Sequence, residues 1–411
     1  MAEVEMSADD PDGSALLTSD EVGSLLASAV EHAGGTLVRW TLDHVDANPP
    51  HSTTATYSAV VDWPYGRREE LLGVSARASG PVATDAAAEI FADGEREVAV
   101  WLYPQDPDLP GLARAAYAES MAEVCNANHV FDAPVTPSDL SLKMIGYRPR
   151  RRAVVKVTNT AASEVVYVKV LRERLFTEVV HRHDLLRAAG LPIPQVAATT
   201  PDHLLVLREL PGTPLAQAVF APEDPCRAED LIALLDSMPP SVAQLERRPP
   251  WTDAVAHYAA MVTQAMPSLE TKLAWLVDSI QAGVGQLAPG NEPTHGDFHE
   301  GQLHVAGGRI CGLLDVDTIG PGNRVDDLAC LVAHLSTIQR MNSAQEARVH
   351  ELIRSWVPVF DARVDPTQLR LRSAAVIISL ATGPYRGQEP EWQRETATMV
   401  ASAEALVRQV S

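Results

Sequence analysis

The sequence predicts an α+β protein built in two or three lobes, and three observations carry that. At 411 residues the chain is long enough for more than one core, since single domains run about 100–200 residues. Short runs of β-branched and apolar residues, bounded by turn residues, recur through the first half of the chain. From about residue 213 onward the apolar spacing becomes helical, interrupted once by a two-stranded hairpin.

Residues 16–33 have apolar spacing suited to a helix, opened by Thr18-Ser19-Asp20. Strands are expected over 54–61, 70–76 and 97–103, then a Pro/Asp loop over 104–111 and a helix over 112–126. Residues 1 to about 135 therefore read as a separate α+β layer. Three further strands are expected over 140–147, 153–158 and 164–171, with a helix over 174–188 and an apolar strand over 204–210 that ends in Pro211-Gly212. Helices are expected over 230–235, 251–264 and 269–286, and after the hairpin over 326–337, 344–356, 367–381 and 392–409. Residues 136–212 and 213–411 make the second and third parts of this division.

Composition narrows the classes of function. A net charge of −21 argues against nucleic acid, whose binding needs clustered Lys and Arg. It either attracts cationic substrates or simply keeps the chain soluble. No apolar run reaches the roughly 18 residues needed to span a bilayer. Residues 1–20 lack the basic start and apolar stretch of a signal peptide. The four cysteines, Cys125, Cys226, Cys311 and Cys330, form no Cys-x-x-Cys pair, so a reduced, cytoplasmic protein is expected. Lysine is scarce: only Lys143, Lys156, Lys169 and Lys272 occur.

The chemistry concentrates in residues 294–329, THGDFHEGQLHVAGGRICGLLDVDTIGPGNRVDDLA. Residues 303–305 and 310–314 read as short strands, with Gly307-Gly308 supplying a turn that tolerates positive φ. Such a hairpin brings Asp297, Gln302 and Asp315 to one edge. Two carboxylates and an amide oxygen suit Mg²⁺, a hard cation that takes oxygen ligands and retains substrate phosphates. One carboxylate is then left to accept a hydroxyl proton, the division of labour that phosphoryl transfer requires. Asp317, two residues after Asp315, shares its face if the strand continues, and serves either a metal or substrate contact or the following turn. The three histidines His295, His299 and His304 also raise a zinc hydrolase, but no second His-rich block supplies further ligands.

This segment resembles the catalytic core of the aminoglycoside phosphotransferase and choline kinase family, with His-Gly-Asp, four residues, an amide, then a hairpin ending in Asp. The resemblance implies a bilobal protein-kinase-like fold, with a mixed α/β N-lobe, a mostly helical C-lobe and here an extra N-terminal α+β cap. It implies Asp297 as catalytic base, Gln302 and Asp315 as Mg²⁺ ligands, and Asp327 as a brace for the helix after the site. Most members have Asn at the position of Gln302. Maltokinases and related bacterial sugar kinases, which also carry Gln after His-Gly-Asp-x-His-x-Gly, resemble the chain more closely.

Upstream, Lys169 in VVYVKV matches the lysine that holds the ATP phosphates and pairs with a helix glutamate, here Glu178, with Glu173 as the other choice. An ammonium on an apolar strand is costly without an anion, which favours a role of this kind. The strand over 204–210 resembles the hinge, where the Arg208 carbonyl and the Leu210 N–H face the adenine. The loop RPRRR over 148–152 stands where the family's glycine-rich loop covers the phosphates, so Arg150, Arg151 or Arg152 either contact phosphate or form a solvated basic turn. The resemblance thus implies an ATP- and Mg²⁺-dependent kinase acting on a small-molecule hydroxyl, first a sugar or amino sugar, second an aminoglycoside or macrolide. A non-catalytic nucleotide-binding module is the reading from another class. Trp251, Tyr258, Tyr385, Arg386, Gln388, Glu391 and Trp392 are the candidates for substrate contact.

Overall fold

The computed structural model describes residues 10–77, 88–92, 97–285, 288–339 and 341–410. The first nine residues of the acidic start, and Gln286 at the end of one expected helix, lie outside them. The chain divides into two compact units. The first holds Met1–Thr177, Val196–Glu209 and Arg386–Glu389; the second holds Glu178–Gln195, Leu210–Tyr385 and Pro390–Ser411.

The first unit begins with helices α1 (Ser14–Thr18) and α2 (Val22–His32), which pack on a sheet of β1 (Thr36–Asn48), β2 (Ser52–Trp63), β3 (Gly66–Arg77), β4 (Glu89–Ala92) and β5 (Glu97–Leu102). The sheet is antiparallel, in the order β1-β2-β3-β5-β4. The single helix expected over 16–33 is in fact two, because Thr18-Ser19-Asp20 marks a junction and not a start. β1 was not anticipated. Its side chains are mostly exposed or half-buried, and two register shifts against β2 interrupt the alternation that would reveal it.

Helices α3 (Leu112–Ala116) and α4 (Ala118–Ala127) follow. Next come β6 (Leu140–Arg148), β7 (Arg152–Asn159), β8 (Glu164–Leu171), helix α5 (Glu173–Ala188), β9 (Val196–Thr199) and β10 (Leu204–Arg208). The five strands form an antiparallel sheet in the order β6-β7-β8-β10-β9. Val155, Val157, Val166, Val168 and Val170 share one core with Leu112, Met121, Val124 and Val130. The helices before residue 135 thus cover one face of this sheet, and no border falls between cap and N-lobe. Helix burial joined them, whereas the loss of motif coverage alone suggested the boundary.

The second unit is mainly helical. After the short β11 (Thr213–Pro214) come α6 (Leu215–Ala218), α7 (Ala228–Asp236), α8 (Val255–Ala265) and α9 (Glu270–Val284). Then β12 (Glu292–Thr294), β13 (Leu303–Ala306), β14 (Arg309–Leu313) and β15 (Gly320–Gly322) build the site region. Helices α10 (Arg324–Ser336), α11 (Ser343–Arg363), α12 (Pro366–Leu380), α13 (Gly383–Arg386) and α14 (Trp392–Val407) close the chain. Helix α10 is buried nearly all round, from Leu328 to Ala333, so it forms the axis on which the hairpin sits. Among the described residues no helix is long and apolar enough to cross a membrane.

Candidate active site

The hairpin β13–β14 turns through Gly307 and Gly308, at φ 57° and 71°, the left-handed region that a glycine enters without cost. Leu303 pairs with Leu313, and the Leu314 N–H donates to the Gln302 carbonyl at 2.7 Å. This register sets Gln302 beside Leu314 and Asp315. β11 adds a third strand through Thr213 and Pro214, and the Pro211 carbonyl accepts from His304 Nδ1 at 3.1 Å and from Cys311 Sγ at 3.4 Å. Leu210 packs over Gly312, where a Cβ would come within 2.7 Å of its side chain.

The loop carrying Asp297 is pinned from below. Asp327, fully buried, accepts the N–H of His295 and of Gly296, both at 2.9 Å, and pairs with Arg324 Nη1 at 3.2 Å. Burial pushes the Asp327 carboxyl up, against the fields of His295 and Arg324. Gly296 stands at φ 82°, and a Cβ there would meet the Thr318 carbonyl at 2.8 Å, so the loop requires glycine. His295 Nε2 lies 2.9 Å from the Leu314 carbonyl and ties the loop to the end of β14. The Thr318 hydroxyl donates to the His295 carbonyl at 2.8 Å.

Above this frame His299 is the meeting point. Its Nε2 lies 4.0 Å from Asp297 Oδ2 and 3.0 Å from the Gln302 amide nitrogen, and it senses the charge of Asp315. Burial pushes its imidazolium down, while Asp297 and Asp315 oppose that shift. The ring stacks on His334 of α10, with centroids 4.0 Å apart and planes 8° apart. His334 is pushed down to about 3 by burial and then by His299, so both rings are neutral near pH 7. Cys330 Sγ lies 3.9 Å from Asp297 Oδ1. Glu300, nearly enclosed, is pushed up to about 7, chiefly by burial. Asp297, His299 and His334 are also close enough to share a cation.

The structure therefore gathers Asp297, Gln302 and Asp315 around one imidazole. Asp315 and Asp317 do not share a strand face as expected. Asp315 lies at φ 49° and is followed by a 3₁₀ turn over Val316–Thr318, in which Asp317 is buried. His334 and Cys330 were missed, although Asp327, Cys330 and His334 stand at i, i+3 and i+7. That spacing places all three on one helix face, the signal that would have found them.

In the first unit, Lys169 projects from β8 on the face opposite Val168 and Val170 and is 9% exposed. Lys156 on β7 faces Glu209 at 3.7 Å and lies over the Tyr167 ring. Arg208 ends β10 opposite Val166. Glu178 belongs to the second unit, where its carboxylate meets Arg182 and, at 3.8 Å, Arg248.

The arginine loop departs from expectation. Arg150 is buried: its N–H donates to Asp106 at 2.8 Å, its Nε donates to Ser75 Oγ at 2.8 Å, and its guanidinium lies over Trp101 and 3.5 Å from Asp108. Arg151 meets the buried Asp46 at 3.1 Å. Both meet carboxylates of the cap, Arg150 fully enclosed and Arg151 still about half exposed, so the loop is not the solvated basic turn that was the other expectation. Of the substrate candidates, Trp251 packs against Tyr258 and Tyr385 against Trp392, as core-type ring pairs.

A strand-rich unit, a hinge-like strand and a helical unit with a catalytic-type hairpin define a kinase-like phosphotransferase. Residues 145–359, just over half of the chain, match the APH phosphotransferase enzyme family, and the chain belongs to that family. It is a small-molecule kinase with an alcohol group as acceptor. Among solved structures it is similar to a thermostable mutant of aminoglycoside phosphotransferase APH(4)-Ia, at 15% identity and TM-score 0.49, over 66% of this chain and 95% of that one. It is also similar to choline kinase from Cryptosporidium parvum, at 11% identity and TM-score 0.46, over 71% and 95%. The ethanolamine kinase of Plasmodium vivax is similar at 11% identity and TM-score 0.44, over 71% and 90%. No curated protein matches the chain.

Proposed function

We propose that the chain transfers the γ-phosphate of ATP to a hydroxyl of a sugar or amino sugar. The observation that carries this is the convergence of Asp297, Gln302 and Asp315 on His299, on a loop held by Asp327. Gln302 and Asp315 offer an amide oxygen and a carboxylate, hard donors that fit Mg²⁺. When bound, the ion would neutralise charge on the nucleotide phosphates. Lys169 would hold those phosphates, and the backbone of Arg208 and Leu210 would read the adenine edge. Asp297, half-buried and with the His299 ring 4.0 Å away, would orient the acceptor hydroxyl and take its proton. Positioning and charge neutralisation carry the rate in such a reaction. The Gln at 302, shared with maltokinase-like enzymes, supports a sugar over a choline-like alcohol.

Asp297→Asn should lower turnover by about 10³-fold or more while leaving nucleotide affinity nearly intact. Steady-state kinetics and a nucleotide titration check this; a variant that kept most of its activity would remove Asp297 from the role of base. A phosphorylation screen over sugars, amino sugars, aminoglycosides, macrolides and choline-like alcohols tests the acceptor class. Turnover confined to the antibiotics would overturn the sugar reading.

A further inference from the structure

Around Asp46 of β1 the charges do not balance. Asp46 is 8% exposed and uses both oxygens: Oδ2 meets Arg151 Nη1 at 3.1 Å and Oδ1 meets Arg386 Nη2 at 2.9 Å. Two guanidiniums are thereby fixed by one buried carboxylate. Arg148, at the end of β6, stands in the same field, and its side chain makes no ion pair among the described residues. His44, two residues before Asp46 on β1, completes the group. The His44 Nε2 and the Arg386 Nε are buried and have no hydrogen-bond partner among the described residues.

Arg148, Arg151 and Arg386, with Arg152 in the same field, outnumber the one buried carboxylate of Asp46, within a chain whose net charge is −21. Burial and then Arg386 push the His44 imidazolium down, and burial and then Arg152 push the Arg148 guanidinium down. Buried donors normally find acceptors, and like charges held together in a partly dry site call for an anion. Guanidiniums bind phosphate oxygens with paired N–H groups. A phosphate dianion matches both the excess charge and the spare donors.

We propose that His44, Arg148, Arg151 and Arg386, positioned by Asp46, form a binding site for a phosphate dianion, free or carried as a monoester on a small molecule. It is a site apart from the nucleotide's. His44, Asp46 and Arg386 all lie outside residues 145–359, the stretch shared with the family, so the site is an addition made by the cap and the C-terminal segment. It also accounts for an arginine-rich turn in the place of a glycine-rich one: Arg150 anchors to the cap, Asp46 positions Arg151, and Arg148 at the end of β6 faces the ligand beside it.

Calorimetric titration of the full chain with inorganic phosphate and with a sugar monophosphate, each with and without saturating AMP-PNP and Mg²⁺, tests this. We expect one phosphate site that persists in the presence of AMP-PNP. Its affinity should fall roughly tenfold or more in Arg148→Ala and in Arg386→Ala. It should be unchanged in Asp297→Asn, which separates this site from the phosphotransfer reading. Tighter binding of the sugar phosphate would identify a carried phosphate, and equal binding a free one. Arg148 is exposed and makes no ion pair among the described residues, so its alanine variant keeps the fold, and circular dichroism verifies that. Absence of binding by both probes, unchanged affinity in Arg148→Ala, or displacement by AMP-PNP would each overturn the proposal.

Discussion

Two loops of this protein are pinned by the same device and put to opposite ends. In the helical unit, buried Asp327 accepts two backbone N–H groups of the loop that carries Asp297. In the strand-rich unit, buried Asp106 accepts the N–H groups of Arg150 and Asp108 and the hydroxyl of Tyr147. In both cases burial pushes the carboxyl up and donated hydrogen bonds hold it down. The first loop leaves its own acid, Asp297, half-buried and without an arginine partner among the described residues. The second turns its own cation inward, and Arg150 is enclosed with Ser75, Asp108 and Trp101. One loop thus holds its charged side chain beside an imidazole and a thiol, and the other pairs it with a carboxylate.

That contrast can be broken by substitution. Asp327→Ala leaves Arg324 buried without its nearest carboxylate and two loop N–H groups unsatisfied. A loss of about 3–5 kcal/mol is expected, with activity falling at least about 10²-fold as the Asp297 loop loosens. Chemical denaturation and kinetics on the same sample check both. Asp106→Asn keeps the shape but removes the charge facing Arg150, and about 3 kcal/mol of stability should go. Here kinetics should hardly change. A rise in the KM for ATP at unchanged turnover would return the arginine loop to the phosphates and erase the contrast.

The smallest effect sharpens the site side of the comparison. His334 has its folded value depressed to about 3 from 6.5. The unfolded chain therefore binds the proton first, and the contribution of this residue is complete above pH 6.5 and is lost as pH falls toward 3. Between pH 7 and pH 5 this amounts to about 2 kcal/mol. His334→Phe keeps a ring against His299 and should flatten that part of the stability–pH curve, read from urea midpoints at the two pH values. An unaltered slope would mean that His334 is hydrated and does not support the Asp297 loop.

Much of this was legible in the sequence. The hairpin, its Gly307-Gly308 turn, the strands of the second sheet and most helices of the second unit follow from local periodicity and turn chemistry, and they appear within a few residues of expectation. β1 was not legible because its two bulges break the alternation. The stop at Thr18 was misread because Thr, Ser and Asp serve equally as a helix opening and as a junction. His334 could be placed on the face of Asp327 and Cys330 by its spacing, but its partner His299, 35 residues back along the chain, could not.

By itself the sequence determined the hairpin that holds Gln302 beside Asp315, because strand pairing across a two-glycine turn is a local matter. Only the tertiary structure decided which charges are spent. Whether an arginine meets a phosphate or a buried carboxylate depends on what long-range packing places beside it, and Asp46, Asp106 and Asp108 lie 42 to 340 positions from the arginines they hold. Burial then sets the cost of leaving such a charge unpaired, and no spacing in the chain records it.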